Sequence, residues 1–326
     1  MTGSEAGGRP DGVLIALVGP TAVGKTALSL ELAERFDGEI VSADSMQVYR
    51  GMDIGTAKAT PEERARIRHH LIDVADPRER YSVARYQREA LAAIRDIQAR
   101  GKVPFLVGGT GLYVNAVVYY PQYRFAPGSP GALRRRLVER ARREGAHALW
   151  QELSSRAPEV ARRIPAGDVR RIVRALEMLA GEGAGLLPNA PPPERKSPFH
   201  LLMIGLTMRR EALYRAIEAR VEAQIAAGLL DEVRRLLAAG VPPEATALQA
   251  LGYKELLGVV RGEESLEAAV ARIKRRTRQY AKRQLTWFRR LPDIEWVPWD
   301  EDVRPDSRQK IFARVAGHLA ADGESI

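Results

Sequence analysis

An α/β fold, with a parallel sheet core flanked by helices and interrupted by an all-helical lobe, is what this chain of 326 residues predicts, on three observations. Short apolar runs at 13–18, 103–107 and 201–206, and another ending at the Ser42-Ala43-Asp44 segment, alternate with helical periodicities, as parallel sheets require. The segment Gly19-Pro20-Thr21-Ala22-Val23-Gly24-Lys25-Thr26 fits the P-loop spacing G-x-x-x-x-G-K-[ST] between a strand pattern and a helical one. Residues 126–198 carry helical patterns and no strand signal.

Each element has a reason in its residues. The run 13–18 is apolar throughout, as a strand covered on both faces should be. It feeds the P-loop, and 27–36 reads as the helix that follows. Gly19 and Gly24 let the backbone curl so that N–H groups point inward. The helix N-terminus adds positive potential, Lys25 places a charge on the outer phosphate, and Thr26 is placed to hold Mg²⁺. The second run leads to Asp44-Ser45-Met46-Gln47. An Asp just past the end of a strand serves either as a turn former or as a carboxylate in the crevice where open α/β sheets bind ligands.

The third run, Val103-Pro104-Phe105-Leu106-Val107, enters Gly108-Gly109-Thr110-Gly111 rather than the Asp that fixes magnesium in common nucleotide hydrolases. Glycines there permit close backbone approach, with the Thr110 hydroxyl beside the P-loop. The lobe follows: helices at 133–144, 146–156 and 169–180, the last capped by Asp168, then a Gly/Pro-rich linker at 181–193. The core resumes with a strand at 201–206 and helices at 209–227, 229–239 and 248–260. A long basic helix closes the series, with one apolar stripe through Leu266, Val270, Ile273, Thr277, Tyr280, Gln284 and Phe288. Its aromatic residues read as core rather than as stacking platforms.

These elements divide the chain into a flexible tail at 1–12, a core at 13–125 and 199–326, and a helical insertion at 126–198. Charge then narrows the partner. The excess of 51 Lys and Arg over 41 Asp and Glu gives +10 and a pI near 10.0, which favours a polyanion. From 272 to 290 there are nine Lys or Arg and no acid, so one face of that helix is free to present cations to phosphates. The 45% hydrophobic content excludes general disorder, and the longest apolar run is too short to span a bilayer. With no cysteine there is no disulfide and no thiolate metal site, which fits a cytoplasmic protein. Adjacent His69 and His70 diverge and so are expected to be structural rather than metal ligands.

The stretch from Asp44-Ser45-Met46-Gln47-Val48-Tyr49 through Asp53-Ile54-Gly55-Thr56-Ala57-Lys58 resembles the tRNA dimethylallyltransferase (tRNA isopentenyltransferase) family, as do the P-loop and Gly108-Gly109-Thr110-Gly111-Leu112-Tyr113. Downstream, Asp168-Val169-Arg170-Arg171-Ile172 is similar to the family's arginine-rich helix and Gly252-Tyr253-Lys254 to its Gly-Tyr-basic segment. The C-terminal basic helix, with Lys274, Arg275, Arg276, Arg278, Gln279, Lys282 and Arg283, is similar too. The resemblance implies that a dimethylallyl group passes from dimethylallyl diphosphate to N6 of an adenine 3′ to the anticodon of tRNA. It implies Asp44 as the base, with Thr110 orienting the acceptor and Lys25 acting on the leaving group. The diphosphate would sit on Gly19, Thr21, Ala22, Val23, Gly24, Lys25 and Thr26 with Mg²⁺, and on Arg220. Many relatives carry a further Arg where Ala216 stands here, and Arg215 is the expected substitute. The tRNA anticodon arm would touch the 44–47 segment, Thr110, the 168–172 and 252–254 segments and the basic helix. A monomer is implied. Other readings are a P-loop small-molecule kinase, an RNA-binding protein without group transfer, and a transferase acting on free adenine nucleotides.

Overall fold

The structure, a computed structural model, describes residues 11–121, 131–180 and 196–323. The chain opens with β1 (Val13–Val18), α1 (Lys25–Arg35), β2 (Gly38–Ser42), α2 (Pro61–Arg66), the two-residue β3 (His69–His70) and α3 (Val83–Ala99). Next come β4 (Val103–Gly108) and α4 (Gly111–Val118), then α5 (Gly131–Glu144), α6 (Ala146–Arg156), α7 (Pro158–Ala161) and α8 (Val169–Ala180). The last stretch holds β5 (His200–Thr207), α9 (Arg210–Ala226), α10 (Leu229–Ala238), α11 (Tyr253–Val260), α12 (Leu266–Phe288), β6 (Ile294–Pro298) and α13 (Arg304–Gly323).

The six strands form one sheet in the order β3-β2-β4-β1-β5-β6, and every pairing is parallel. Central strands of such a sheet are covered on both faces, which is why VLIALV in β1 carries no polar residue and is buried from Leu14 to Val18. Register sets the site. Val18 lies opposite Gly108 and Ser42 opposite Val107, so β1, β2 and β4 end at one level. The backbone then continues the pairing for two more bonds, Ala43 N to Val107 O at 2.7 Å and Thr110 N to Ala43 O at 3.1 Å. Three loops are thereby gathered at the carboxyl edge, where open parallel sheets take their ligands.

Local signals fix the helix ends. Thr60 and Glu63 form a reciprocal capping box on α2, while Ser82 and Ser265 cap α3 and α12 through the amides of Arg85 and Ala268. The expected helix at 248–260 is instead a short 3₁₀ turn (Ala247–Gln249) followed by α11, because Gly252 at φ 93° breaks it. Strands β3 and β6 and helices α2, α3, α4, α7 and α13 were not anticipated: β3 is too short to show a period, and Ile-Glu-Trp-Val-Pro carries charge on an edge strand.

Contacts divide the chain into two compact units, one of Met1–Val118 with Ser197–Ile326 and one of Tyr119–Lys196, so the helical lobe begins earlier than the expected 126. Within the described residues that lobe is α5 to α8, packed around Leu137, Leu149, Leu153, Ile172 and Leu176. Trp150 donates its indole N–H to the Ile164 carbonyl at 2.8 Å, and Arg134 pairs with buried Glu177 at 3.0 Å. Asp168 caps α8 by accepting the Arg171 amide. The start of the expected tail and the Gly/Pro linker lie outside the described residues, whereas Asp11 and Gly12 are tied to the core through Pro198 and His200.

Candidate active site

A cavity of about 690 Å³ opens at the carboxyl edge of the sheet, and Lys25, Asp44 and Arg220 all line it. The P-loop forms one wall. Gly24, at φ 99°, begins α1 without any side-chain cap, and a Cβ there would stand 3.0 Å from the Trp299 indole nitrogen. Ala22, Val23 and Gly24 therefore offer amides that make no hydrogen bond among the described residues. Uncapped amides at a helix N-terminus are an anion site. Thr21 differs from the expectation, since its N–H already donates to Gln284 Oε1 at 2.9 Å. It lines the cavity without a free amide to give a phosphate.

Lys25 folds back on its own loop, donating from Nζ to the carbonyls of Gly19 (3.0 Å) and Pro20 (2.7 Å). Protein atoms enclose its ammonium, although the residue as a whole is only half-buried and lines the cavity. That burial lowers its pKa to about 7, the Arg220 charge pushes the same way, and Asp44 opposes both. Arg220, on α9, is likewise held below its ordinary value by burial and supported by Asp44. Three charges thus share one space. An arriving diphosphate would supply the counter-charge that the two cations lack.

Asp44 sits on the facing loop. Its Oδ1 accepts the amides of Met46 (2.8 Å) and Gln47 (3.4 Å), which fixes the carboxylate and leaves Oδ2 without a protein donor among the described residues. Gln47 braces the loop from Ser42 to the Thr56 and Ala57 carbonyls. The glycine turn after β4 closes on this loop: a Cβ at Gly108 would overlap the Ala43 backbone, and Thr110 Oγ1 accepts the Ser45 amide at 3.1 Å. The Thr110 hydroxyl is therefore committed partly to shaping the Asp44 loop, beside the cavity rather than on its lining.

Helices α9, α11 and α12 supply the remaining wall. Ala216, Arg220, Gly252, Lys254, Tyr280 and Arg283 line the cavity. Arg215 does not: it is exposed, so it cannot replace an arginine at position 216. Burial and the Asp44 charge push the Tyr280 hydroxyl up to about 12, so it stays protonated beside Thr110 and Gln284. Gln284 is the site residue that its sequence concealed. Its side chain joins the P-loop to the Gly109 carbonyl (2.9 Å), yet in the apolar stripe of α12 it reads only as a break in the pattern.

Burial removes two residues from the expected tRNA-facing set, and ion pairs on α12 engage three more. Tyr253 is 0% exposed and gives its hydroxyl to Glu232 at 2.5 Å, so it packs the interior instead of facing RNA. Ile172 is equally buried, in the core of the lobe, while Arg170 and Arg171 are exposed. On α12, acids from other helices answer the cations: Lys274 pairs with Glu222 (2.5 Å), Arg276 with Glu255 (2.7 Å) and Arg278 with Glu218 (2.6 Å). Lys282 and Arg275 make no ion pair among the described residues. The aromatic expectation also splits, for Phe288 is core while Trp287 is 39% exposed. His69 bonds to the Ile67 carbonyl (2.8 Å) and also lines the cavity, while His70 bonds to the Glu39 carboxylate (2.7 Å).

Among the described residues no three His, Cys, Asp or Glu side chains cluster as a metal cage. The cavity instead offers the exposed Thr26 hydroxyl at the head of α1. That donor set fits Mg²⁺, which keeps its waters and takes one or two protein oxygens beside substrate phosphates.

Fold and cavity together define a P-loop protein in which a fixed carboxylate faces an anion cradle. A family model described as IPP transferase matches residues 47–291, and one described as isopentenyl transferase matches 12–79. Curated proteins named tRNA dimethylallyltransferase are similar along most of the chain. That of Thermomicrobium roseum is 49% identical over 301 residues, covering 89% of this chain and 89% of its own. That of Roseiflexus sp. strain RS-1 is 51% identical over 292 residues, covering 88% and 93%. Among solved structures, the tRNA isopentenylpyrophosphate transferase of Bacillus halodurans superposes with a TM-score of 0.70 at 43% identity, covering 95% of this chain and 98% of that one. A eukaryotic dimethylallyltransferase acting on tRNA gives 0.79 at 28% identity, covering 95% and 80%. The chain belongs to the IPP transferase family, the tRNA dimethylallyltransferases, which are prenyltransferases.

Proposed function

We propose that this protein transfers a dimethylallyl group from dimethylallyl diphosphate to the exocyclic N6 of the adenine 3′ to the anticodon of a tRNA, releasing pyrophosphate. The observation that carries it is the meeting of Asp44, Arg220 and the P-loop on one cavity, where Asp44 and Arg220 both act electrostatically on Lys25. As the new N6–carbon bond forms, the allylic carbon–oxygen bond breaks and its electron pair leaves on the diphosphate. The N6 proton passes to the free Oδ2 of Asp44. An adenine amino group is a poor nucleophile because its lone pair is delocalised, so a fixed acceptor for that proton is worth about 10²–10⁴ in rate. The P-loop amides, Lys25 and Arg220 face the departing charge and stabilise it most when it is greatest. Thr26 would hold Mg²⁺ here, and the ion when bound would supply further positive charge to the diphosphate oxygens.

Support for RNA over a free nucleotide is the exposed Arg170 and Arg171 of α8 and the unpaired Arg275 and Lys282 of α12, which a mononucleotide would not need. The test is incubation with labelled dimethylallyl diphosphate and either tRNA or AMP, followed by digestion and nucleoside analysis. Label on N6 of adenosine from tRNA alone is expected. Absence of label from tRNA would overturn the assignment, and equal labelling of AMP would move it to free nucleotides.

A further inference from the structure

Gln284 is wedged between two loops that must act on two substrates. Its side chain is 6% exposed, reached from a helix that begins at Leu266, and it spans from the Thr21 amide (2.9 Å) to the Gly109 carbonyl (2.9 Å). The orientation of its amide is not a matter of choice: a backbone N–H can only donate and a carbonyl can only accept, so Oε1 must face Thr21 and Nε2 must face Gly109. The fit leaves no slack. A Cβ on Gly109 would overlap Nε2, and would come within 3.3 Å of the Gly19 carbonyl. Gly109 precedes Thr110, which holds the Asp44 loop through Ser45, while Thr21 belongs to the cradle. The one side chain therefore ties the diphosphate-side loop to the acceptor-side loop. It does so from the helix that also carries the unpaired cations Arg275 and Lys282.

We propose that Gln284 is a positioning residue: a strut that sets the separation between the P-loop and the Gly108–Thr110 turn, and hence between the reacting carbon and the Asp44-bound nitrogen. This rests on the transfer reading above. A strut of this kind acts on the relative placement of two substrates, so its loss should appear in kcat more than in either KM, because misplacement by about 1 Å costs on the order of 10²-fold.

The experiment compares two variants with the wild type on tRNA and dimethylallyl diphosphate, alongside hydrogen exchange of the peptides that contain residues 19–26 and 108–111. Gln284→Met keeps the volume and removes both bonds, together with the contact to the Tyr280 hydroxyl. It should lower kcat roughly 10- to 100-fold, change the diphosphate KM by less than about threefold, and speed exchange in the 19–26 peptide. Gln284→Glu supplies an ionised acid that repels the Gly109 carbonyl but, once protonated, presents the same acceptor and donor as the amide. Its kcat relative to wild type should climb as pH falls from 8 to 5.5, which a purely space-filling role would not produce. Wild-type kcat in Gln284→Met, or a flat ratio across pH in Gln284→Glu, would overturn the proposal. Absence of transfer by the wild-type enzyme would defeat the functional reading instead; the strut would then stand or fall on the exchange rates, unchanged protection in Gln284→Met overturning it.

Discussion

Asp44 is tethered through one oxygen and open at the other, an asymmetry that suits the base role proposed for it. Replacing it with Asn keeps the Oδ1 acceptor for Met46 and Gln47 but removes the proton acceptor, so the loop should survive while chemistry fails. Asp44→Asn is expected to lower kcat by about 10² or more with tRNA affinity nearly intact; single-turnover rates beside filter binding measure both, and wild-type turnover would remove Asp44 from its role. Lys25 gives a second test, through pH. Its pKa in the folded protein is about 7 against an ordinary 10.5, so between those values the unfolded chain holds the extra proton. Stability of the ligand-free protein should therefore rise with pH across that window, the burial penalty being fully present below pH 7. A diphosphate in the cradle restores the ammonium. Titration calorimetry near pH 8, in buffers of differing ionisation heat, should detect proton uptake on binding that disappears in Lys25→Ala. No uptake by the wild type would contradict the pairing of Lys25 with the ligand.

At the scale of elements, α12 does two things with one sequence. Lys274, Arg276 and Arg278 are spent on Glu222, Glu255 and Glu218, which lock α12 to α9 and α11. Arg275 and Lys282 make no ion pair among the described residues and carry the proposed contact with RNA phosphates. Neutralising Arg275 and Lys282 to Gln should reduce the slope of log affinity for tRNA against log salt by roughly one unit per lost phosphate contact, whereas Lys274→Gln should leave the slope close to wild type. Equal slopes in all variants would return α12 to a purely structural role. The loop after β2 depends on α10 in the same way. Buried Glu232 accepts the amides of Asp53 (3.0 Å), Ile54 (2.9 Å) and Gly55 (3.1 Å) as well as the Tyr253 hydroxyl. Glu232→Ala strands four donors and should cost about 3 kcal/mol or more of stability, at 1–3 kcal/mol for a buried unmade bond; chemical denaturation measures it.

The whole molecule joins these parts by linkage. A ligand that binds only the folded state stabilises it by RT ln(1 + [L]/Kd), about 2.7 kcal/mol at a hundredfold excess over Kd. Pyrophosphate with Mg²⁺ should therefore raise the melting temperature by several degrees, at roughly 2–4 °C per kcal/mol for a domain of this size, and the shift should vanish in Lys25→Ala. No shift in the wild type would mean that the cradle does not bind the leaving group. Among the described residues no helix is long and apolar enough to cross a membrane.

By itself the sequence determined the strand-to-loop junctions of the site and the all-helical character of the lobe, because these follow from local rules: apolar runs, glycines and residue spacing. Asp44 and Lys25 could be named without coordinates for that reason, whereas Arg220 was named only through the resemblance to the family. Only the tertiary structure decided what faces what. It placed Tyr253 and Ile172 inside, paired the cations of α12 with acids 21 to 60 residues away, and turned Gln284 from a gap in an apolar stripe into a link to a loop 263 positions distant. Such contacts join residues with no common local pattern, so the geometry of the folded chain, and not any spacing within it, assigns their roles.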